Sequence, residues 1–172
     1  ITILIFPNFM VGQGWEKTFS DSVFEYGSEV HETNDGGYVI IGLKSLSYWD
    51  SSYVYLIKTD SYGDSLWAKT FGGNDIDVGT SGQQTTDLGY IITGWTNSYG
   101  NGDDDVYLIK TDIYGDTLWT KTYGLPWEDR GAEVKQTTDG GYIITGHTFW
   151  GPGDCNLWLI KTDSQGDTLW TK

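Results

Sequence analysis

A repeat of about 52 residues runs along this chain and constrains its fold more than any other feature. A Gly-Tyr motif followed by Ile or Val places Tyr38, Tyr90 and Tyr142 at intervals of 52 residues. A Trp-x-Lys motif recurs with nearly the same period, at Trp15, Trp67, Trp119 and Trp170. A fixed period of this length indicates a structural unit that stacks on its own copies, because one unit alone cannot bury its apolar face.

Each repeat predicts four short β-strands. The first carries the Trp-x-Lys motif, and the second lies near residues 27–33, 79–85 and 131–137. The third begins with the Gly-Tyr motif, and the fourth is a Tyr-Leu-Ile-Lys-Thr-Asp segment. No stretch has the apolar spacing of an amphipathic helix. The nine Trp, twelve Tyr and 24 Gly residues suit strands joined by tight turns.

The turn after the fourth strand has the pattern Asp-x-x-Gly-Asp, at residues 60–64, 112–116 and 163–167. We expect its glycine to be left-handed, because a type I turn that continues into a bulge requires this conformation. The residues concerned are Gly63, Gly115 and Gly166.

The third strand is almost continuously apolar, which predicts burial on both faces, as in a sheet that lies between two others. The sequence therefore predicts an all-β fold, a β-propeller-like array of three four-stranded blades. The predicted blades cover about residues 14–66, 67–118 and 119–172, after an apolar N-terminal segment, residues 1–13.

Three blades cannot close a ring, since propellers have about 4–8 blades. The array is therefore either open or completed by other chains: as part of a longer array, as two chains in one ring, or as a head-to-tail filament. The N-terminal segment is either the remnant of a secretory signal or a strand donated to another copy. The residues expected to support assembly are Ile1, Ile3, Ile5, Phe6, Phe9 and Trp170.

The net charge of −14 opposes binding to nucleic acid or to an anionic membrane surface. The N-terminal apolar run is also too short to span a bilayer, so no membrane insertion is expected. The single cysteine, Cys155, cannot form a disulfide within the chain.

Seven of the ten basic residues occupy two repeat positions, which favours structural pairing with repeated acids over catalysis. Glu25, Asp77 and Asp129 are such acids, expected to pair with lysines or to cap a turn, with a shared ion site as a further alternative. The spacing shows no catalytic Ser/His/Asp or Cys/His set, so no catalytic residue is predicted.

Two kinds of binding site remain open from the residues alone. Asp103, Asp104 and Asp105 lie on a glycine-containing loop and are a candidate Ca²⁺ site, with a solvated acidic loop as the alternative. Aromatic side chains on loops are candidates for stacking on a sugar or on a protein partner. They are Trp49, Tyr99, Trp127, Phe149 and Trp150.

The motifs Asp-x-x-Gly-Asp-x-Leu-Trp-x-Lys-Thr-Tyr-Gly and Thr-x-Asp-Gly-Gly-Tyr-Ile-Ile-x-Gly resemble the repeats of secreted bacterial and archaeal β-propeller proteins, over residues 14–172. The resemblance implies an extracellular or cell-surface location. These repeats are distantly similar to quinoprotein propellers, which implies a pyrroloquinoline quinone cofactor, calcium and a catalytic acid. The chain departs from that pattern because it has too few blades and no singular position for an active site.

Three functions follow as hypotheses. The first is a non-enzymatic, extracellular structural protein that assembles with other copies of itself and needs no cofactor. The alternative is a cell-surface module that binds a glycan or a protein through loop aromatics. The third is a part of a quinoprotein-like enzyme.

Overall fold

A computed structural model describes residues 16–19, 24–45, 51–151 and 153–172. These residues form twelve β-strands and no helix, which confirms the all-β prediction. Within the same ranges there is accordingly no helix that could cross a membrane.

The strands form three antiparallel four-stranded sheets, each with its strands in chain order. Sheet 1 contains β1 (Phe24–Glu32), β2 (Tyr38–Ser45), β3 (Tyr53–Thr59) and β4 (Ser65–Phe71). Sheet 2 contains β5 (Asp77–Gln84), β6 (Tyr90–Thr96), β7 (Asp105–Thr111) and β8 (Thr117–Tyr123). Sheet 3 contains β9 (Asp129–Gln136), β10 (Tyr142–Phe149), β11 (Cys155–Thr162) and β12 (Thr168–Thr171).

The Trp strand is the last strand of each sheet, whereas the sequence predicted it as the first strand of each unit. The sheets therefore span residues 24–71, 77–123 and 129–171 in place of the predicted 14–66, 67–118 and 119–172. The reason is the short Asp-x-x-Gly-Asp turn, in which the Asp60 N–H donates to the Asp64 carbonyl at 3.0 Å. This hairpin pairs the Trp strand with the strand before it.

The conformation predicted for the turn glycines is confirmed. Gly63, Gly115 and Gly166 have φ angles of 77°, 76° and 78°. The strand register shifts beside each turn, as a bulge requires, for example between Lys58 and Thr59.

The sheets stack face to face and bury two apolar clusters. Val39 and Leu56 of sheet 1 pack with Ile92 of sheet 2, and Leu108 of sheet 2 packs with Ile144 of sheet 3. Sheet 2 is covered on both faces, so all seven residues of β7 are buried. The corresponding β11 of sheet 3 begins with three exposed residues, because no further sheet of the described chain covers it.

The first strand of each later sheet lies against the first two strands of the sheet before it. The Ser28 hydroxyl donates to the Gly79 carbonyl at 2.7 Å, and the Thr80 hydroxyl donates to the Gly131 carbonyl at 2.8 Å. A Cβ atom at Gly79 would lie only 2.8 Å from the carbonyl oxygen of Gly42. This close approach of two backbones explains a glycine at that position of the repeat.

Candidate functional site

One set of repeated lysines locks the turn between the first two strands of each sheet. The buried Lys58 ammonium lies 2.9 Å from an Asp35 carboxylate oxygen and donates to the Thr59 carbonyl at 2.7 Å. Hydrogen bonds from Thr33 and Lys58 lower the pKa of Asp35 to about 2. The same arrangement recurs as Lys110 with Asp87 and as Lys161 with Asp139.

The second set of repeated lysines connects neighbouring sheets. Lys69 of sheet 1 lies 2.6 Å from Asp116 of sheet 2, and Lys121 of sheet 2 lies 2.7 Å from Asp167 of sheet 3. Lys17 lies 2.5 Å from Asp64 in the same manner. Apart from Lys172, the members of both lysine sets therefore pair with repeated acids, as predicted.

The acids at positions 25, 77 and 129 do not pair with these lysines. The buried Asp77 carboxylate accepts hydrogen bonds from the Gly73 N–H and the Ser98 hydroxyl, each at 2.8 Å. Asp129 accepts from the Leu125 N–H at 2.6 Å. The alternative prediction that they cap a turn is therefore confirmed for Asp77 and Asp129, and Glu25 lies 3.8 Å from Lys44.

The three acids of the candidate calcium loop do not converge on one point. Asp104 is buried and lies within 2.6 Å of the Arg130 guanidinium, which also covers the Trp95 ring at 4.4 Å. Asp105 accepts a hydrogen bond from the Asn101 N–H at 2.8 Å, and Asp103 is exposed. In the described ranges, no group of three or more His, Cys, Asp or Glu residues is arranged to hold a metal ion.

Burial raises the pKa of Asp105, and the nearby negative charge of Asp129 raises it further. Both side chains are almost fully buried, and one oxygen of Asp129 has no hydrogen-bond partner in the described part of the chain. Two carboxylates close together in such an environment repel each other when both are ionised.

The candidate loop aromatics separate into two places. Tyr99 lies at the rim between sheets 1 and 2, where its hydroxyl donates to the Gly72 carbonyl at 3.0 Å. Trp127 and Trp150 lie in loops at the corresponding rim between sheets 2 and 3, and Trp150 is 70% exposed. Phe149, predicted as a loop residue, is instead the last residue of β10, where it pairs with Cys155. Trp49 lies outside the described residues.

A polar groove of about 680 Å³ opens beside Tyr99. The lining side chains that can contact a ligand are Tyr53, Asn74, Asp75, Asn97, Ser98 and Tyr99. Of these residues, only Tyr99 is among the binding candidates predicted from the sequence. A comparison of the repeats position by position would have pointed to three of the others. Pro126, Trp127 and Phe149 stand where the preceding repeat has Asn74, Asp75 and Asn97.

The two outer faces of the stack form the third region of interest. Inside the stack, Trp67 packs edge-on against Tyr90 at 5.6 Å, and Trp119 packs against Tyr142 at 5.9 Å. The next equivalent, Trp170, is 42% exposed on the outer face of sheet 3.

The outer face of sheet 1 carries a groove of about 900 Å³, lined in part by Lys17, Phe19, Val30, Tyr38 and Ile40. The other assembly residues proposed from the sequence lie outside the described residues. They are Ile1, Ile3, Ile5, Phe6 and Phe9.

Comparison with known proteins gives no assignment. No protein-family model matches this chain, and no curated protein matches it either.

Proposed function

We propose that this protein is a non-enzymatic structural protein of the β-propeller type, whose three sheets act as blades and whose outer faces join other copies. The single observation that carries this proposal is the exposure of Trp170 on the outer face of sheet 3, because its repeat equivalents Trp67 and Trp119 form the two internal interfaces. A fold built from stacked copies is then extended by adding more copies.

Each internal interface pairs a tryptophan and a lysine of one sheet with a tyrosine and an aspartate of the next. At the first interface these are Trp67 with Tyr90 and Lys69 with Asp116. The outer face of sheet 3 offers Trp170 and Lys172, whose ammonium has no ion pair among the described residues. On sheet 1 the equivalents are Tyr38, which is half-buried and makes a contact of its own, and Asp64, which is paired with Lys17.

Sheet 3 of one copy can therefore meet sheet 1 of the next and repeat the internal contact. Such a head-to-tail contact gives a ring when the rotation closes and a filament when it does not. The outer face of sheet 1 is partly occupied already, because Lys17 forms an ion pair with Asp64 there. Strand β12 of the incoming copy would replace residues 16–19 at this position.

The test is the particle mass of the intact protein and of two tryptophan variants, measured by light scattering over a range of concentrations. We expect the unmodified protein to form multimers and Trp170→Ala to shift them towards the 19.2 kDa monomer. Trp150→Ala, which removes an exposed tryptophan from the rim, is the matched control and should assemble normally. A monomer at all concentrations, or equal assembly by both variants, would contradict the proposal.

An extracellular or cell-surface location belongs to the same proposal. It is supported by the resemblance to secreted repeat proteins and by the apolar segment at residues 1–13. Fractionation of the native host, with N-terminal sequencing of the recovered protein, tests it. Recovery from the cytoplasm with residues 1–13 still attached would contradict this location.

A further inference from the structure

The polar groove between sheets 1 and 2 has walls that are fixed before any ligand arrives. The Tyr99 hydroxyl donates to the Gly72 carbonyl, and its ring lies 5.9 Å from that of Tyr107. Tyr99 is nevertheless 47% exposed, so its ring offers a rigid apolar surface to the groove. A preformed surface of this kind binds with little loss of conformational entropy.

The buried Asp77 carboxylate holds the opposite parts of the groove together. One of its oxygens accepts hydrogen bonds from the Gly73 N–H and the Ser98 hydroxyl. The Ser98 hydroxyl oxygen in turn accepts from the Asp75 N–H at 3.1 Å. The loops after β4 and β6 are therefore joined through a single buried group.

Unused hydrogen-bonding groups line this fixed groove. The exposed side-chain amides of Asn74 and Asn97 make no hydrogen bond within the described chain, and each offers two donors and an acceptor. Asp75 uses one carboxylate oxygen to accept from the Ile76 N–H, which leaves the other for a ligand. The groove has no basic lining residue, and the chain carries a net charge of −14.

We propose that this groove is a binding site for a neutral saccharide. One sugar ring packs on the exposed part of the Tyr99 ring, and the hydroxyl groups exchange hydrogen bonds with Asn74, Asn97 and Asp75. An aromatic surface beside amide and carboxylate groups matches a ligand with an apolar ring face and many hydroxyls. The acidic surroundings disfavour an anionic ligand. This site is separate from the outer faces proposed for assembly.

The repeat itself supplies an internal control. The corresponding rim between sheets 2 and 3 has Pro126, Trp127 and Phe149 where the groove has Asn74, Asp75 and Asn97. The amides and the carboxylate therefore belong to one rim only. A sugar that only associated with exposed aromatic rings would prefer the second rim, where Trp150 is 70% exposed.

The test is saturation-transfer NMR followed by calorimetry with three neutral probes, cellopentaose, mannopentaose and chitopentaose. We expect at least one to bind, and we expect Tyr99→Ala and Asn97→Ala each to weaken its binding by about tenfold. Tyr99→Phe keeps the ring and should retain most of the affinity. Trp150→Ala should leave the affinity unchanged.

Absence of binding by all three probes at millimolar concentration would overturn the proposal. It would also be overturned if Trp150→Ala removed binding while Asn97→Ala did not, because the site would then lie at the other rim. Asn97 is exposed, so its replacement leaves the core intact, and a one-dimensional NMR spectrum of each variant verifies folding.

Discussion

Leu88 has a left-handed backbone conformation that is unfavourable for any residue with a Cβ atom. Its φ angle is 68°, and no other non-glycine residue of the described chain has a positive φ. The equivalent positions of the other repeats are Gly36 and Gly140, with φ angles of 78° and 83°. The turn thus demands a left-handed residue in every repeat, which costs a residue with a Cβ atom about 1–2 kcal/mol.

Replacing Leu88→Gly should therefore stabilise the protein. We expect the free energy of unfolding to rise by about 0.5–1 kcal/mol, because relief of strain exceeds the added backbone entropy of glycine. Urea denaturation measures this change. The reverse substitution at the equivalent position, Gly140→Leu, should lower stability by a similar amount, and equal stability of all three proteins would contradict this reasoning.

Asp105 makes stability depend on pH. Since its pKa is raised in the folded protein, the folded state holds this proton more tightly than the unfolded state does. The resulting stability is present below the unfolded pKa of about 4 and is lost as the pH rises through the folded pKa. At neutral pH the ionised Asp105 carboxylate is therefore a cost to folding.

Asp105→Asn should raise the free energy of unfolding at pH 7 by about 1 kcal/mol, the usual scale of a single-site change. Asparagine keeps an oxygen that can accept from the Asn101 N–H. The gain should disappear near pH 3, where the carboxyl group is protonated in both states. The control is the same substitution at the exposed neighbouring residue, Asp103→Asn, measured by the same denaturation experiment. A gain that does not vary with pH would contradict the explanation.

At the scale of the strand, the same sequence element has different environments along the stack. Trp119 of β8 packs on Tyr142 and contributes to the core between sheets 2 and 3. Trp170 of β12 has the same repeat position but lies on the outer face of sheet 3. Stability should therefore depend on which copy of the strand is altered.

We expect Trp119→Ala to lower the free energy of unfolding by about 3 kcal/mol, because it opens a cavity in the core. Trp170→Ala should cost less than about 1 kcal/mol in the monomer, since Trp170 is already 42% exposed there. Urea denaturation at concentrations where both variants are monomeric compares them. Equal losses would mean that the outer face of sheet 3 is covered within the monomer.

At the scale of the whole molecule, the proposed assembly would make strand β12 of a second copy compete with residues 16–19 for one position on sheet 1. Lys17 makes with Asp64 the ion pair that Lys69 makes with Asp116 inside the stack. Removal of residues 16–19 should therefore favour association, because loss of the internal competitor shifts the equilibrium towards the oligomer.

Deletion of residues 1–19 should increase the average mass in light scattering at a given protein concentration. Deletion of residues 1–12 leaves Lys17 in place. It should leave assembly unchanged if copies associate through the outer faces of sheets 1 and 3. If residues 1–12 act as a donated strand instead, their deletion should abolish assembly. The two deletions together thus distinguish face-to-face stacking from strand donation.

The sequence by itself determined the local structure of this protein. The strands, the left-handed turn glycines such as Gly63 and the lysines paired within one sheet, such as Lys58 with Asp35, follow from short motifs that recur with one period. Hydrogen-bonded turns and alternating side chains are properties of such short segments, so they can be read without knowledge of the rest of the chain.

Only the tertiary structure decided which strand begins a sheet, which sheet is buried on both faces and where the groove lies. Tyr53 and Tyr99 are far apart in sequence and belong to different sheets, and they share a groove only because those sheets stack. A repeat fixes the contacts between its copies but not where the stack ends. The exposure of Trp170, which carries the proposed function, is therefore a property of the assembled stack and not of the motif.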